Sequence, residues 1–349
     1  MELKKELWAK TPAGEQIWKY TLKNSKGAYV ELTNIGAGIV SLVVPDRNGI
    51  LGDISLGYRN PLDYIGDAPC MGRIPGRFAN RIAKGRFTLD GKEYQLPINN
   101  CSNSLHGGPN GFQNHLWESR FIGDAVEFKY VSPDGEAGYP GTLTTIAHYE
   151  WDEENTLKLT LMATTDAPTV LNFTHHMYMN LNGEGNGNIR THILRLNGSE
   201  YLPSDAELIP DGTVVPVAGT PLDFLTPKPL GRDLEADHPS IRNGKGYDVS
   251  FFIDGAVPGQ ISEAADLYAP ESGRRLKVYT TMPTVHIYTG NNLGGNSEGK
   301  HGHIYKDYDA VCIECQYCPD SPNRPEFPST VLRPGETYNE AIIWDFSAE

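Results

Sequence analysis

Apolar and polar residues alternate with a period of two along much of the chain, as expected for strands whose two faces meet different surroundings. Phe87 and Leu89 alternate with polar neighbours, Asp90-Gly91 suits a positive-φ turn, and Tyr94 and Leu96 resume the pattern. Residues 86–96 are therefore predicted to form a tight β-hairpin. A second hairpin is predicted where Thr142–Trp151 and the alternating Leu157, Leu159 and Leu161 flank the polar turn Asp152-Glu-Glu-Asn155. Ala28–Thr33, Ile39–Val44 and Ala310–Cys315 also pattern as strands. No stretch of a dozen residues carries a 3.6 period, and the helical candidates are short pieces at Leu62–Ile65 and Leu234–His238. Gly183–Asn188 and Asn291–Gly302 are expected to be flexible loops, too short to link domains.

This pattern predicts an all-β protein: a large antiparallel β-sandwich with few short helices, built as a single domain over residues 1–349. The 37 glycines and 25 prolines fit a chain with many turns, and 39% hydrophobic residues suffice for a sizeable core. The formal net charge of −14 disfavours nucleic acid and anionic membrane surfaces as partners. The start, Met1-Glu-Leu-Lys-Lys, places charges where a signal peptide has its apolar segment. The longest apolar run, near Gly38–Val44, is too short to cross a bilayer. Five cysteines argue against a disulfide framework and for a reducing compartment, so a cytoplasmic location is expected.

Elbow, P-loop, dinucleotide and zinc-protease motifs are absent. Cys312-x-x-Cys315-x-x-Cys318 looks like a metal motif, but on a strand residues three apart project to opposite faces, so these thiols do not converge. Glu314 sits in the apolar run Ala310-Val-Cys-Ile-Glu-Cys-Gln316, where burial would raise its pKa toward that of a general base. In Asn172-Phe-Thr-His-His-Met-Tyr-Met-Asn180, His175 and His176 face opposite sides, one toward a cleft and one structural. His106 is followed by Gly107-Gly108, which allows close backbone approach to a ligand or forms an ordinary turn. Asp248 follows Gly244-Lys-Gly-Tyr and reads as a hydrogen-bonding acid or a solvated turn residue. Asn80 and Arg81, in Gly76-Arg-Phe-Ala-Asn-Arg-Ile82, offer directed donors for vicinal hydroxyls, with a salt-bridged surface as the alternative.

In chain order these segments, with Tyr288-Thr-Gly-Asn291, Pro319-Asp-Ser-Pro322 and Leu332-Arg-Pro-Gly-Glu-Thr-Tyr338, resemble the galactose mutarotase (aldose 1-epimerase) family. The resemblance spans essentially the whole chain. It implies a β-supersandwich that interconverts the α and β anomers of aldohexoses such as D-galactose and D-glucose, with no metal and no other cofactor. It further implies that Glu314 is the base acting on the C1 hydroxyl and His176 the acid acting on the ring oxygen. His106 would support developing charge, while Asn80, Arg81, Tyr178 and Asp248 hold sugar hydroxyls. Two positions depart from the family pattern: His286 replaces a sugar-binding glutamine, and His175 replaces an asparagine. The change at His286 bears on sugar preference.

Three other readings stand beside this one. Asp248 and Glu314 would serve a glycosidase, a hexose-6-phosphate 1-epimerase would need a cationic cluster, and a non-catalytic sugar-binding paralogue need not keep both Glu314 and His176. A small-molecule aldose is the expected partner, and either a monomer or a homodimer fits the sequence.

Overall fold

The computed structural model describes all residues from Met1 to Glu349. Three antiparallel sheets form the body. An N-terminal sheet runs in sequence order through Glu2–Lys10, Gln16–Lys23, Tyr29–Thr33, Gly38–Pro45 and Leu51–Asp53. A nine-stranded sheet includes the long hairpin Leu143–Trp151 and Thr156–Thr165, the C-terminal strand Tyr338–Ala348 and the hairpin Ser262–Tyr268 and Arg274–Thr280. The third sheet ends with Asp248–Phe252, Thr284–Tyr288 and Cys312–Gln316, paired in that order. Apolar faces of all three sheets meet in one cluster of 58 buried residues running from Tyr20 to Phe346. No helix is long and apolar enough to cross a membrane.

The two predicted hairpins, the early strands and the β-sandwich class agree with this architecture. Arg86–Leu89 and Lys92–Gln95 pair across Asp90 and Gly91, whose φ angles are 50° and 78°. Two local expectations need correction. The α-helix is Pro239–Gly244 rather than Leu234–His238. Proline restricts the residue before it to extended backbone but suits the first helical turn, so His238 becomes the cap and accepts a hydrogen bond from the Ser240 amide. At Leu62–Ile65 the chain forms only the 3-10 turn Pro61–Tyr64.

The two loops expected to be flexible are tied down. Glu184 in the first is buried, accepting from the Tyr305 hydroxyl and pairing with His303 just beyond the second. Asn291, which opens the second, is also buried: its amide donates to the carbonyls of Gly244 and Tyr247, and its Oδ1 accepts from Thr289. These bonds brace the turn that leads into Asp248.

Arg77 is 1% exposed. Its guanidinium donates to the carbonyls of Pro140 and Gly141 and to the hydroxyls of Thr169 and Ser132, and burial pulls its pKa down to about 10. Of the two arginines around Asn80, this one is a structural hub. Arg81 is the one that reaches the cavity described next.

Candidate active site

Period-two geometry builds most of the site from one face of three strands. Ser250, His286 and Glu314 occupy one rung of the third sheet, and Asp248, Tyr288 and Cys312 the next. Side chains two apart share a face. The intervening Val249, Phe251, Val285, Ile287, Ile313 and Cys315 point the other way and all belong to the main core.

Segment 172–180 crosses the outer edge of this sheet as extended chain rather than a full strand. It is held by a bridge between Met179 and Val311 and by Asn172, which accepts from the Tyr317 amide and donates to the carbonyls of Tyr317 and Ala79. One asparagine thus fastens together the segments carrying His176, Glu314 and Asn80. His175 turns into the core, edge-on to Tyr149 and Trp344, with neither ring nitrogen partnered. Burial drops its pKa to about 3 and keeps it neutral. His176 turns the opposite way.

A cavity of about 380 Å³ is lined by Asn80, Arg81, His106, His176, Tyr178, Asp248, His286 and Glu314, all eight residues singled out from sequence. Sequence reasoning missed Tyr288, Asn100 and Lys245, which also line it. Tyr288 was within reach, since it lies two residues from His286 on the same strand.

His176 and Glu314 are 5% and 2% exposed, and His176 Nε2 stands 3.5 Å from Glu314 Oε1. Burial lowers the imidazole pKa to about 3, and burial followed by the Asp248 charge raises the carboxyl well above its usual range. Tyr178 stacks on the His176 ring at 4.9 Å between centroids, and its hydroxyl donates to the Pro69 carbonyl. With its proton committed there, the Tyr178 hydroxyl can only accept from a ligand, while its ring face packs on His176.

His106 packs edge-on to His176 at 5.3 Å. Its Nδ1 accepts the Asn80 backbone N–H at 3.1 Å, so in the neutral ring Nε2 carries the proton. Burial, followed by the charges of His176 and Arg81, pushes its pKa well down and keeps it in that form. The role of the glycines after it differs from a ligand contact. A Cβ at Gly107 would collide with the Gly76 carbonyl, so glycine there lets two protein segments meet. Arg81 donates through Nε to Asn100 at 3.0 Å, and Asn80 Oδ1 accepts from the Arg81 amide.

Asp248, His286 and Ser250 form a line: His286 Nε2 is 2.8 Å from Asp248 Oδ1, and His286 Nδ1 is 2.8 Å from Ser250 Oγ. Burial works against ionisation of Asp248, but the His286 hydrogen bond and the Arg81 charge outweigh it and lower its pKa. A carboxylate only accepts, so Nε2 carries the proton and Nδ1 accepts from the Ser250 hydroxyl. Both ring nitrogens are occupied. Ser250 had no sequence signal beyond its place two residues after Asp248.

Cys312, Cys315 and Cys318 are separated in space, as the strand spacing predicts. Each lies in a different apolar cluster. Cys312 alone meets the site, with Sγ 3.5 Å from His176 Nδ1.

A buried carboxylate–imidazole pair thus lies in a polar cavity furnished with amide, guanidinium and carboxylate groups, a setting suited to moving protons on a polyhydroxy compound. The sequence profile of the aldose 1-epimerase family matches residues 19–344, and the chain belongs to that family. Galactose mutarotase of Rattus norvegicus is 41% identical over 334 residues, 96% of this chain and 95% of its own length. Aldose 1-epimerase of Escherichia coli is 37% identical over 344 residues, 98% of each chain. The crystal structure of galactose 1-epimerase from Lactobacillus acidophilus superposes with a TM-score of 0.86 at 29% identity, covering 99% of each chain.

Proposed function

We infer that the protein is an aldose 1-epimerase, an isomerase that interconverts the α and β anomers of unphosphorylated aldohexoses such as D-galactose and D-glucose. The observation that carries this reading is the Glu314–His176 pair, 3.5 Å apart on the cavity wall. The hemiacetal hydroxyl and the ring oxygen are bonded to the same carbon, so two groups at this spacing can address both. Glu314 takes the C1 hydroxyl proton while His176 gives one to the ring oxygen, and the C1–ring oxygen bond breaks to leave an aldehyde. Rotation about C1–C2 presents the other carbonyl face. Closure returns the proton from Glu314 to O1 as His176 takes one from the attacking hydroxyl.

Opening thus starts from the form of the pair that carries the shared proton on the imidazole and passes it to the carboxyl, where burial favours it; closing passes it back. His106 directs its Nε2–H toward charge developing near the ring oxygen, while Asn80, Arg81 and Asp248 hold hydroxyls. His286 acts as a positioning residue that orients Asp248. Arg81 is already tied to asparagines and Lys245 is the one other Lys or Arg lining the cavity, which Asp248 and Glu314 also line. That setting favours a neutral sugar over a phosphorylated one.

Polarimetry of freshly dissolved α-D-galactose and α-D-glucose tests the reading. Accelerated decay of rotation is expected for at least one of them, with no cleavage of chromogenic glycosides. An unchanged decay on every aldose would overturn it.

The Ser250–His286–Asp248 line carries a separate expectation. Ser250→Ala and His286→Gln should each change kcat/KM by less than about tenfold, mainly through KM, since each moves one hydrogen bond worth ~1 kcal/mol. The double variant should be no worse than the poorer single one, because both changes act through one contact to Asp248. Full additivity would show that Ser250 and His286 act separately.

A further inference from the structure

We propose that Cys312, His176 and Glu314 form a site for a thiophilic divalent cation such as Zn²⁺ or Cd²⁺, and that its occupation switches the enzyme off. The proposal rests on the catalytic reading of His176 and Glu314. One ligand atom from each residue lies within 4.8 Å of the other two. Cys312 and Glu314 share a strand face because they are two apart, and His176 lies beside both, its Nδ1 3.5 Å from Cys312 Sγ and its Nε2 3.5 Å from Glu314 Oε1, so one of the two nitrogens serves as its ligand atom. The second carboxylate oxygen, Glu314 Oε2, is buried without a protein partner, so the cluster holds a free acceptor away from solvent.

Metal–ligand lengths of about 2.0 Å to nitrogen and 2.3 Å to sulfur place tetrahedral ligand atoms roughly 3.5 Å apart. Closing the cluster around an ion therefore takes a contraction of about an ångström. The charges also balance. A thiolate, a carboxylate and a neutral imidazole around a divalent cation sum to zero, which minimises the cost of holding the ion out of water. On binding, the Cys312 thiol and the Glu314–His176 pair each release one proton to solvent as the metal–sulfur and metal–carboxylate bonds form. His176 and Glu314 line the sugar cavity, which gives the ion its route to the buried Cys312. The bound ion engages the imidazole lone pair and the carboxylate, leaving neither free for proton transfer, and it competes with sugar for the same space.

The test uses the full chain carrying Cys101→Ser, which removes the one exposed thiol, after treatment with a chelator. Cd²⁺ is titrated while the ultraviolet thiolate-to-cadmium absorption is followed, with Zn²⁺ as competitor. One equivalent should develop the absorption, and saturating D-galactose should weaken it. Cys312→Ala and the closely isosteric Cys312→Ser should each lower metal affinity by at least about tenfold, read from the absorption and independent of turnover. Inhibition of mutarotation by Zn²⁺ should weaken in parallel. Absorption that persists in the Cys312 variants, fails to respond to sugar, or never appears would overturn the site. Should neither variant fold, sugar competition on the parent chain decides. The spectroscopic arm needs no turnover: mutarotation without metal binding sinks this inference alone, and metal binding at Cys312 without mutarotation sinks the catalytic reading.

Discussion

Glu314→Gln and His176→Asn should each lower turnover by about 10²- to 10⁴-fold while leaving sugar binding measurable, since each removes one arm of general acid–base catalysis. Both changes nearly preserve shape, so folding checked by circular dichroism should be intact. The double variant should lose far less than the product of the single losses, because a lone surviving partner completes only one of the two proton transfers each opening needs. The wild-type pH profile should be bell-shaped, since the competent state carries one proton shared by the two groups. Burial has reversed the order of the free side chains. The acid limb reports a second proton entering a pair whose imidazole is held down to about 3, and the alkaline limb reports loss of the shared proton from a pair whose carboxyl is held up. Stopped polarimetry on purified variants checks this, and near-normal turnover in Glu314→Gln would remove the mechanism.

The same variant carries a stability consequence. A carboxyl that binds its proton more tightly folded than unfolded favours the fold in acid, and that contribution is lost as pH rises from 4.5 through the folded pKa. Glu314→Gln should therefore melt at a higher temperature than the wild type at neutral pH, with the difference closing toward pH 4. Equal melting temperatures at neutral pH would mean that the carboxylate is held there without cost.

Arg77→Met should destabilise the protein by about 3–5 kcal/mol, the scale seen when one partner is removed from a buried charged network. The substitution leaves the carbonyls of Pro140 and Gly141 and the hydroxyls of Thr169 and Ser132 without this donor, and methionine replaces none of those bonds. Arg77→Lys keeps the charge but not the fork, and should lose a smaller part. Denaturant titration measures both. A loss below about 1 kcal/mol in Arg77→Met would mean that these acceptors find other partners cheaply.

Features set by neighbours along the chain were legible in advance. Asp90-Gly91 announces its own turn, and the apolar run around Glu314 marks an interior strand with one conspicuous carboxylate. Features set by distant partners were not. Glu184 looks like a loop residue until Tyr305 and His303, more than a hundred positions away, are brought beside it. The cysteine run drew attention to spacing within one strand, whereas the contact that matters joins Cys312 to His176 across 136 positions. His286 stands out in the sequence only as a histidine in place of a sugar-binding glutamine, because register cannot be seen in a sequence. Only the pairing of its strand with Asp248–Phe252 reveals Ser250 and Asp248 as its two partners.

The division of labour in the third sheet has a consequence for how this protein can change. Across Asp248–Phe252, Thr284–Tyr288 and Cys312–Gln316, even-numbered positions such as Asp248, His286, Tyr288 and Glu314 line the cavity. Odd-numbered positions such as Val249, Ile287 and Ile313 carry the core. Parity separates the two kinds of mutation. Exchanges at even positions alter the cavity wall and leave the core packing in place, and exchanges at odd positions tax stability while leaving that wall in place. Loss of a single residue inside one of these strands would swap the two sets, burying carboxylates in the core and lining the cavity with valine and isoleucine. This part of the molecule can therefore diversify by substitution but not by insertion or deletion, and changes of length belong in the turns between its strands.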